Sequence, residues 1–112
     1  MDNSAWPWLI LVPRRPGISE IHELEAADRA LLVEEIAAAS RVLDALHAPD
    51  KLNVAAIGNI VPQLHVHVVA RRRGDPAWPN PVWGSGLGAR HDPAALASAL
   101  AGLRAAFGIA LG

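Results

Sequence analysis

The sequence predicts an α+β fold in which an antiparallel sheet packs against one long and one shorter helix. Three observations predict it. Aliphatic runs at about Trp8 to Val12, in "KLNVAAIGN" and in "QLHVHVVAR" are bounded by Pro, Gly and Asn, the punctuation of short strands. Between the first two of these lies a long stretch with apolar residues at three- and four-residue spacing, the period of a helix. An Ala-rich segment with a helix-start signal closes the chain. One sheet covered by helices is the layer arrangement this order of elements requires.

The first strand, "WLILV", ends at Pro13 and the turn residues "RPG". The long helix follows in "EIHELEAADRALLVEEIAAASRVLDALHAPD", with Leu24, Leu31, Leu32, Ile36, Ala39, Val42, Leu43 and Leu46 as its apolar stripe. Acidic residues crowd its start, and Pro49 with Asp50 ends it. "KLNVAAIGN" is the second strand, turned by Gly58 and Asn59. "QLHVHVVAR", bounded by Pro62 and an arginine run, is the third. The segment "GDPAWPNPVWGSGLGARHDP" reads as a loop long enough to be unusual unless it packs on something. The closing helix, "DPAALASALAGLRAAFG", takes Asp92 as its N-cap and Pro93 at its first position.

With 112 residues, of which 52% are hydrophobic, the chain is expected to form a single domain, 1–112, around one core. A formal net charge of −1 gives no general attraction to nucleic acid or an anionic membrane. The absence of cysteine excludes disulfides and thiolate metal sites and fits a reducing compartment. The opening "MDNSAWPW" has no basic segment followed by an apolar one, and no apolar run approaches the length of a membrane span. A cytoplasmic location is expected.

The chemistry concentrates in "NIVPQLHVHVVARRR". Side chains alternate along a strand, so Gln63, His65 and His67 share one face and Leu64, Val66 and Val68 the other, core-facing one. Neutral imidazole is a nucleophile or base near neutral pH, and its protonated form binds phosphate oxygens. Two imidazoles about 7 Å apart on one face suit both roles on one phosphoryl group. The pattern leaves two other readings open. His-x-His is a common zinc element, needing a third ligand from His22, His47, His91 or a carboxylate. A histidine pair on a sheet face also occurs with no role at all.

At these residues the sequence resembles the histidine triad (HIT) hydrolases and nucleotidyl transferases, whose signature is His-φ-His-φ-His-φ-φ with φ hydrophobic. Gln63 stands at the first histidine position, His65 at the second and His67 at the third. "PWLILVPRR", the long helix and "LNVAAIGN" follow the family's order, so the likeness runs from about Trp6 to Trp83. The resemblance implies that His65 is the catalytic nucleophile, attacking the α-phosphorus of a nucleotide phosphoramidate, dinucleoside polyphosphate or related conjugate to form a nucleotidyl-histidine. It implies that His67 holds phosphate oxygen and assists the leaving group, and that Asn59 places an amide on the phosphate. Gln63 keeps a donor for phosphate or for ordering the neighbouring ring, but it cannot titrate. No cofactor and no metal are implied, magnesium entering only with a polyphosphate substrate. Relatives pair two subunits about a two-fold axis, so a homodimer is expected, with the long helix and "LNVAAIGN" near the interface. The family places a further strand before the one at Trp8; here the chain begins at what corresponds to the hairpin turn, and that first strand is expected to be missing.

The alternative within the same fold is a non-catalytic nucleotide-binding or scaffold protein, favoured by Gln63. Arg71, Arg72 and Arg73 read as a solvated basic turn ahead of a phosphate contact. Trp78 and Trp83 read as core anchors or as a cap over the site.

Overall fold

The computed structural model describes residues 1 and 3–107. Its strands are β1 (Trp8–Leu11), β2 (Lys51–Ala55) and β3 (Val66–Arg71). Its helices are α1 (Ala26–His47) and α2 (Pro93–Phe107), with a 3-10 turn at Ile21–Glu23 before α1. The sheet is antiparallel in the order β1-β3-β2, so the histidine strand is central. His67 pairs with Ile10 on one side and Ala55 on the other.

The face of β3 that carries Val66, Val68 and Ala70 packs on α1 through Leu32, Ala39 and Leu43, as the alternation requires. Val68, Val69 and Leu43 are each less than 2% exposed. Side chains buried to this degree stabilise a fold by about 1.5–3 kcal/mol each. The opposite face is also covered: Val69 lies in a cluster with Trp6, Trp8 and Val82. The Pro- and Trp-rich loop thus folds back over the sheet, which accounts for its length.

The long helix is shorter than its apolar period suggests. Leu24 and Glu25 are extended, with ψ of 148° and 155°, and separate the 3-10 turn from α1. The turn is closed by the Glu23 carboxylate, which accepts from the Ser19 hydroxyl at 2.9 Å and the Glu20 amide at 2.8 Å. Leu24 still reaches the core, but from outside the helix. At the far end Ala48 adopts φ 44° and its amide returns to the Asp44 carbonyl, while the Arg72 guanidinium donates to the His47 carbonyl. Arg72 therefore caps a helix.

The strands are also shorter than read. β2 stops at Ala55, and Gly58, at φ 70°, turns a loop whose Ile60 is 94% exposed. β3 begins only at Val66, leaving Gln63, Leu64 and His65 as its approach. The Leu64 amide, which donates to the Ile18 carbonyl at 2.8 Å, fixes that approach against the loop after β1. At α2, the Asp92 carboxylate accepts from the Ala95 amide at 2.8 Å, the expected N-cap. The expected end of this helix at Gly108 lies outside the described residues. No helix among the described residues is long and apolar enough to cross a membrane.

Candidate functional site

His65 and His67 come together at the start of β3, their rings 5.1 Å apart between centroids and inclined at 69°. Each ring is held by a partner whose chemistry leaves no ambiguity of role. His65 Nδ1 lies 2.7 Å from the main-chain carbonyl of Gln63. A carbonyl only accepts, so Nδ1 carries the proton and Nε2 of the neutral ring holds a lone pair.

His67 is arranged the opposite way. The Trp8 indole N–H donates to its Nδ1 at 2.9 Å. An indole nitrogen only donates, so Nδ1 holds the lone pair and the ring proton sits on Nε2. The ring is 8% exposed and lies edge-on to Trp8 and Trp83, at 5.7 and 5.6 Å between centroids. Burial holds its pKa below the ordinary imidazole value, and the neighbouring His65 and the N-terminal ammonium act in the same direction. The site therefore offers a basic nitrogen on one ring and an N–H donor on the other. It is not the open face the alternation suggested: His65 is half-buried and His67 buried, because the tryptophans cover that side.

A family model for the HIT domain matches residues 1–74. This chain belongs to the HIT family. It is similar to a histidine triad protein of Bradyrhizobium japonicum at 47% identity, with 96% of this chain and 80% of that chain covered and a TM-score of 0.90. A HIT protein of Sinorhizobium meliloti 1021 is 44% identical over 94% of this chain and 78% of its own, also at a TM-score of 0.90. A histidine triad protein of Marinobacter aquaeolei VT8 is 45% identical over 96% of this chain and 79% of its own, at 0.92. No curated protein matches the chain. The HIT family is one of nucleotide hydrolases and transferases, and the α+β architecture with its antiparallel sheet is the HIT fold.

Within this HIT domain, Gln63 makes a scaffold contact through its side chain. Its side-chain amide donates to the Arg15 carbonyl at 3.3 Å, tying the approach to β3 to the loop after β1. The His65 ring is ordered by the main-chain carbonyl of Gln63, a group any residue there supplies. Asn59 lies exposed in the loop after β2 and makes no side-chain hydrogen bond among the described residues. His22, His47 and His91 do not join the pair. Among the described residues no group of three or more His, Asp or Glu is placed to hold a metal ion. A cavity of about 460 Å³ lies between β1, α1 and α2, lined by Trp6, Leu43, His47 and Leu100, but neither triad histidine lines it.

Arg71 departs most from its sequence reading. Instead of a solvated turn residue it is 2% exposed. Its guanidinium donates to Asp75 at 2.7 and 3.0 Å, to the Asn53 side chain at 2.8 Å and to the Asn80 carbonyl at 2.9 Å. It also lies 5.5 Å from the ring centre of Trp78. Asp75 in turn accepts from the amides of Ala77 and Trp78. The hydrogen bond from Arg71 holds its carboxyl well below the usual carboxylate range. This knot shapes the loop that brings Val82 and Trp83 against Trp8 and His67. The sequence reading missed both this anchor and the Trp8 contact. An aromatic on a strand that pairs with the histidine strand was the available signal for Trp8.

Proposed function

We propose that this HIT protein is a nucleotide hydrolase or nucleotidyl transferase acting at the α-phosphorus of a nucleotide phosphoramidate, dinucleoside polyphosphate or related conjugate. The observation that carries the reading is the hydrogen bond from His65 Nδ1 to the Gln63 carbonyl, which leaves Nε2 as a free lone pair. In the first step Nε2 bonds to phosphorus and the phosphorus–leaving-group bond breaks, the leaving group departing with its electron pair and taking a proton from solvent. In the second, water attacks phosphorus and the P–N bond breaks. Nucleoside monophosphate is released and the His65 ring is restored. His67 Nε2–H donates to a phosphoryl oxygen as charge develops there. Asn59 meets the phosphate from the loop after β2, and Gln63 is the neighbouring polar group at the substrate's edge. The chemistry calls on no resident cofactor, since a neutral imidazole is a competent nucleophile. A turnover panel of adenosine phosphoramidates, dinucleoside polyphosphates and nucleotide sugars tests the reading: release of nucleoside monophosphate from at least one supports it, and none from any of them overturns it.

One observation favours the second reading, a non-catalytic nucleotide binder. Gln63 has its amide committed to the Arg15 carbonyl and cannot titrate. Tight binding of nucleoside monophosphate without turnover of any conjugate would select it. Gln63→His is expected to keep or raise turnover and to add a second ionisation to the pH profile of kcat/KM. A variant that folds normally but loses all activity would show that the amide is required.

The protein is proposed to act as a cytoplasmic homodimer. β2 is a sheet edge, and Val54 on it is 47% exposed, while Leu31 and Leu46 of the α1 stripe are 54% and 44% exposed. Leu31 and Leu46 were read from periodicity as part of the helix's apolar stripe, and together with Val54 they are apolar area a symmetric partner would cover. Sedimentation across micromolar concentrations is expected to give the dimer mass. A sharp monomer mass at the highest concentration would exclude it.

A further inference from the structure

The reaction proposed above uses His67 as a donor to phosphate, and the structure bears on what fixes it as one. We propose that Trp8 is a positioning residue for the reaction: its indole N–H fixes His67 as the Nε2–H tautomer, so that His67 serves as a hydrogen-bond donor and not as an acid. This rests on the reading of His65 as nucleophile and His67 as donor.

Donor and acceptor capacity fixes the tautomer. The indole nitrogen has a proton and no lone pair to offer, so it cannot exchange roles with the ring it faces. At 2.9 Å its N–H occupies the lone pair of His67 Nδ1. Protonating Nδ1 requires that contact to break. Transferring the Nε2 proton to a leaving group leaves an imidazolate, which is inaccessible near neutral pH. His67 thus keeps its proton and shares it. With β1 paired, the indole is itself held in place. Trp8 is 8% exposed, lies edge-on to Trp6 at 6.4 Å and to Trp83 at 6.0 Å, and its strand pairs directly with β3.

The surroundings agree. The charged or titratable groups acting on His67 are His65 and the N-terminal ammonium of Met1, both opposing a second positive charge. β1 and the loop after β3 bring Trp8 and Trp83 to the ring, and β2 brings Ala55 opposite it. Held by the indole, His67 adds no ionisation of its own near neutral pH, and glutamine at the first triad position cannot titrate. The pH dependence of turnover should contain one ionisation on its acid side.

The test reads the ring nitrogens directly. In long-range ¹⁵N–¹H spectra of the intact protein, His67 is expected to show a protonated Nε2 and an unprotonated Nδ1. That pattern should persist below the ordinary imidazole value of ~6.5. Trp8→Phe keeps an aromatic ring and removes the N–H. It is expected to give His67 a mixture of tautomers, a titration nearer the ordinary value, and a second ionisation in the acid limb of kcat/KM. The loss should fall mainly on kcat, by about 10- to 100-fold, by analogy with partners that orient metal-bound histidines. A wild-type His67 protonated at Nδ1 overturns the proposal, and so do Trp8→Phe spectra or kinetics indistinguishable from wild type. Should Trp8→Phe fail to fold, the wild-type nitrogen signals decide alone. Undiminished turnover in His65→Ala would instead overturn the nucleotidyl-transfer reading, and would leave the tautomer measurement standing.

Discussion

Replacing His65 with alanine is expected to lower turnover by on the order of 10³-fold or more on every accepted conjugate, because in the proposed mechanism it removes the bond-forming nitrogen and no neighbouring group takes its place. The neighbouring imidazole cannot substitute. His67 holds its Nδ1 lone pair against the Trp8 indole and its proton on Nε2. The fold should survive, since His65 lies before β3, half-buried, with no strand partner to lose. Two measurements separate loss of chemistry from loss of structure. The thermal transition of the variant should stay close to wild type while product release vanishes. Quenching wild type during turnover should trap an acid-labile nucleotide adduct that maps to His65. Equal rates for the two proteins would remove the covalent route entirely. His67→Ala should be less complete in effect, since in the proposed mechanism it deletes a donor to phosphate and leaves the nucleophile.

The second large effect is on stability. Asp75→Ala should cost about 3–5 kcal/mol, the range for removing one partner of a buried ion pair, because Arg71 would be left charged in the interior. Arg71 and Asp75 side chains are 2% and 7% exposed, so solvent cannot replace the missing carboxylate. The amides of Ala77 and Trp78 lose their acceptor as well. For a domain of this size a loss of that order lowers Tm by roughly 10 °C or more. The same pair is expected to make the wild type acid-sensitive. The folded-state pKa of Asp75 is depressed, chiefly by the Arg71 hydrogen bond. Its contribution is therefore complete above the ordinary carboxylate value of about 4 and is lost as pH falls below it. Asp75→Asn retains an acceptor but not the charge, and should flatten the acid side of the stability–pH curve. Denaturant unfolding at pH 7 and at pH 3 checks both statements. An unchanged midpoint for Asp75→Ala at pH 7 would mean that the pair contributes nothing.

Much of the architecture was legible in the order of apolar periods. Leu64, Val66 and Val68 face α1 as their alternation says, and Asp92 caps α2 as its chemistry says. The histidine positions stood out because imidazoles on alternate residues of an aliphatic strand have no packing rationale. What stayed hidden depends on partners far along the chain. Leu24 keeps the helical spacing while its backbone is extended, because a side chain can join a core from a turn as well as from a helix. Arg71 looks like one of three solvated arginines until Asn53, Asp75 and Asn80 converge on it from different segments. Trp8 is 59 residues from His67 in sequence, and only strand pairing makes them neighbours.

The strand order β1-β3-β2 sets how the site comes apart. β3 is paired on both sides, so the backbone carrying His67 is released only when much of the sheet is. The indole that constrains His67 comes instead from a four-residue edge strand. Fraying of β1 can thus unlatch the ring while the ladder between β3 and β2 remains intact. Once unlatched, Nδ1 is free to bind a proton, and a proton bound there opposes re-closure. By linkage, acid is expected to shift β1 toward the frayed state and neutral pH to draw it back. A short edge strand is in this way coupled to proton concentration through a single imidazole.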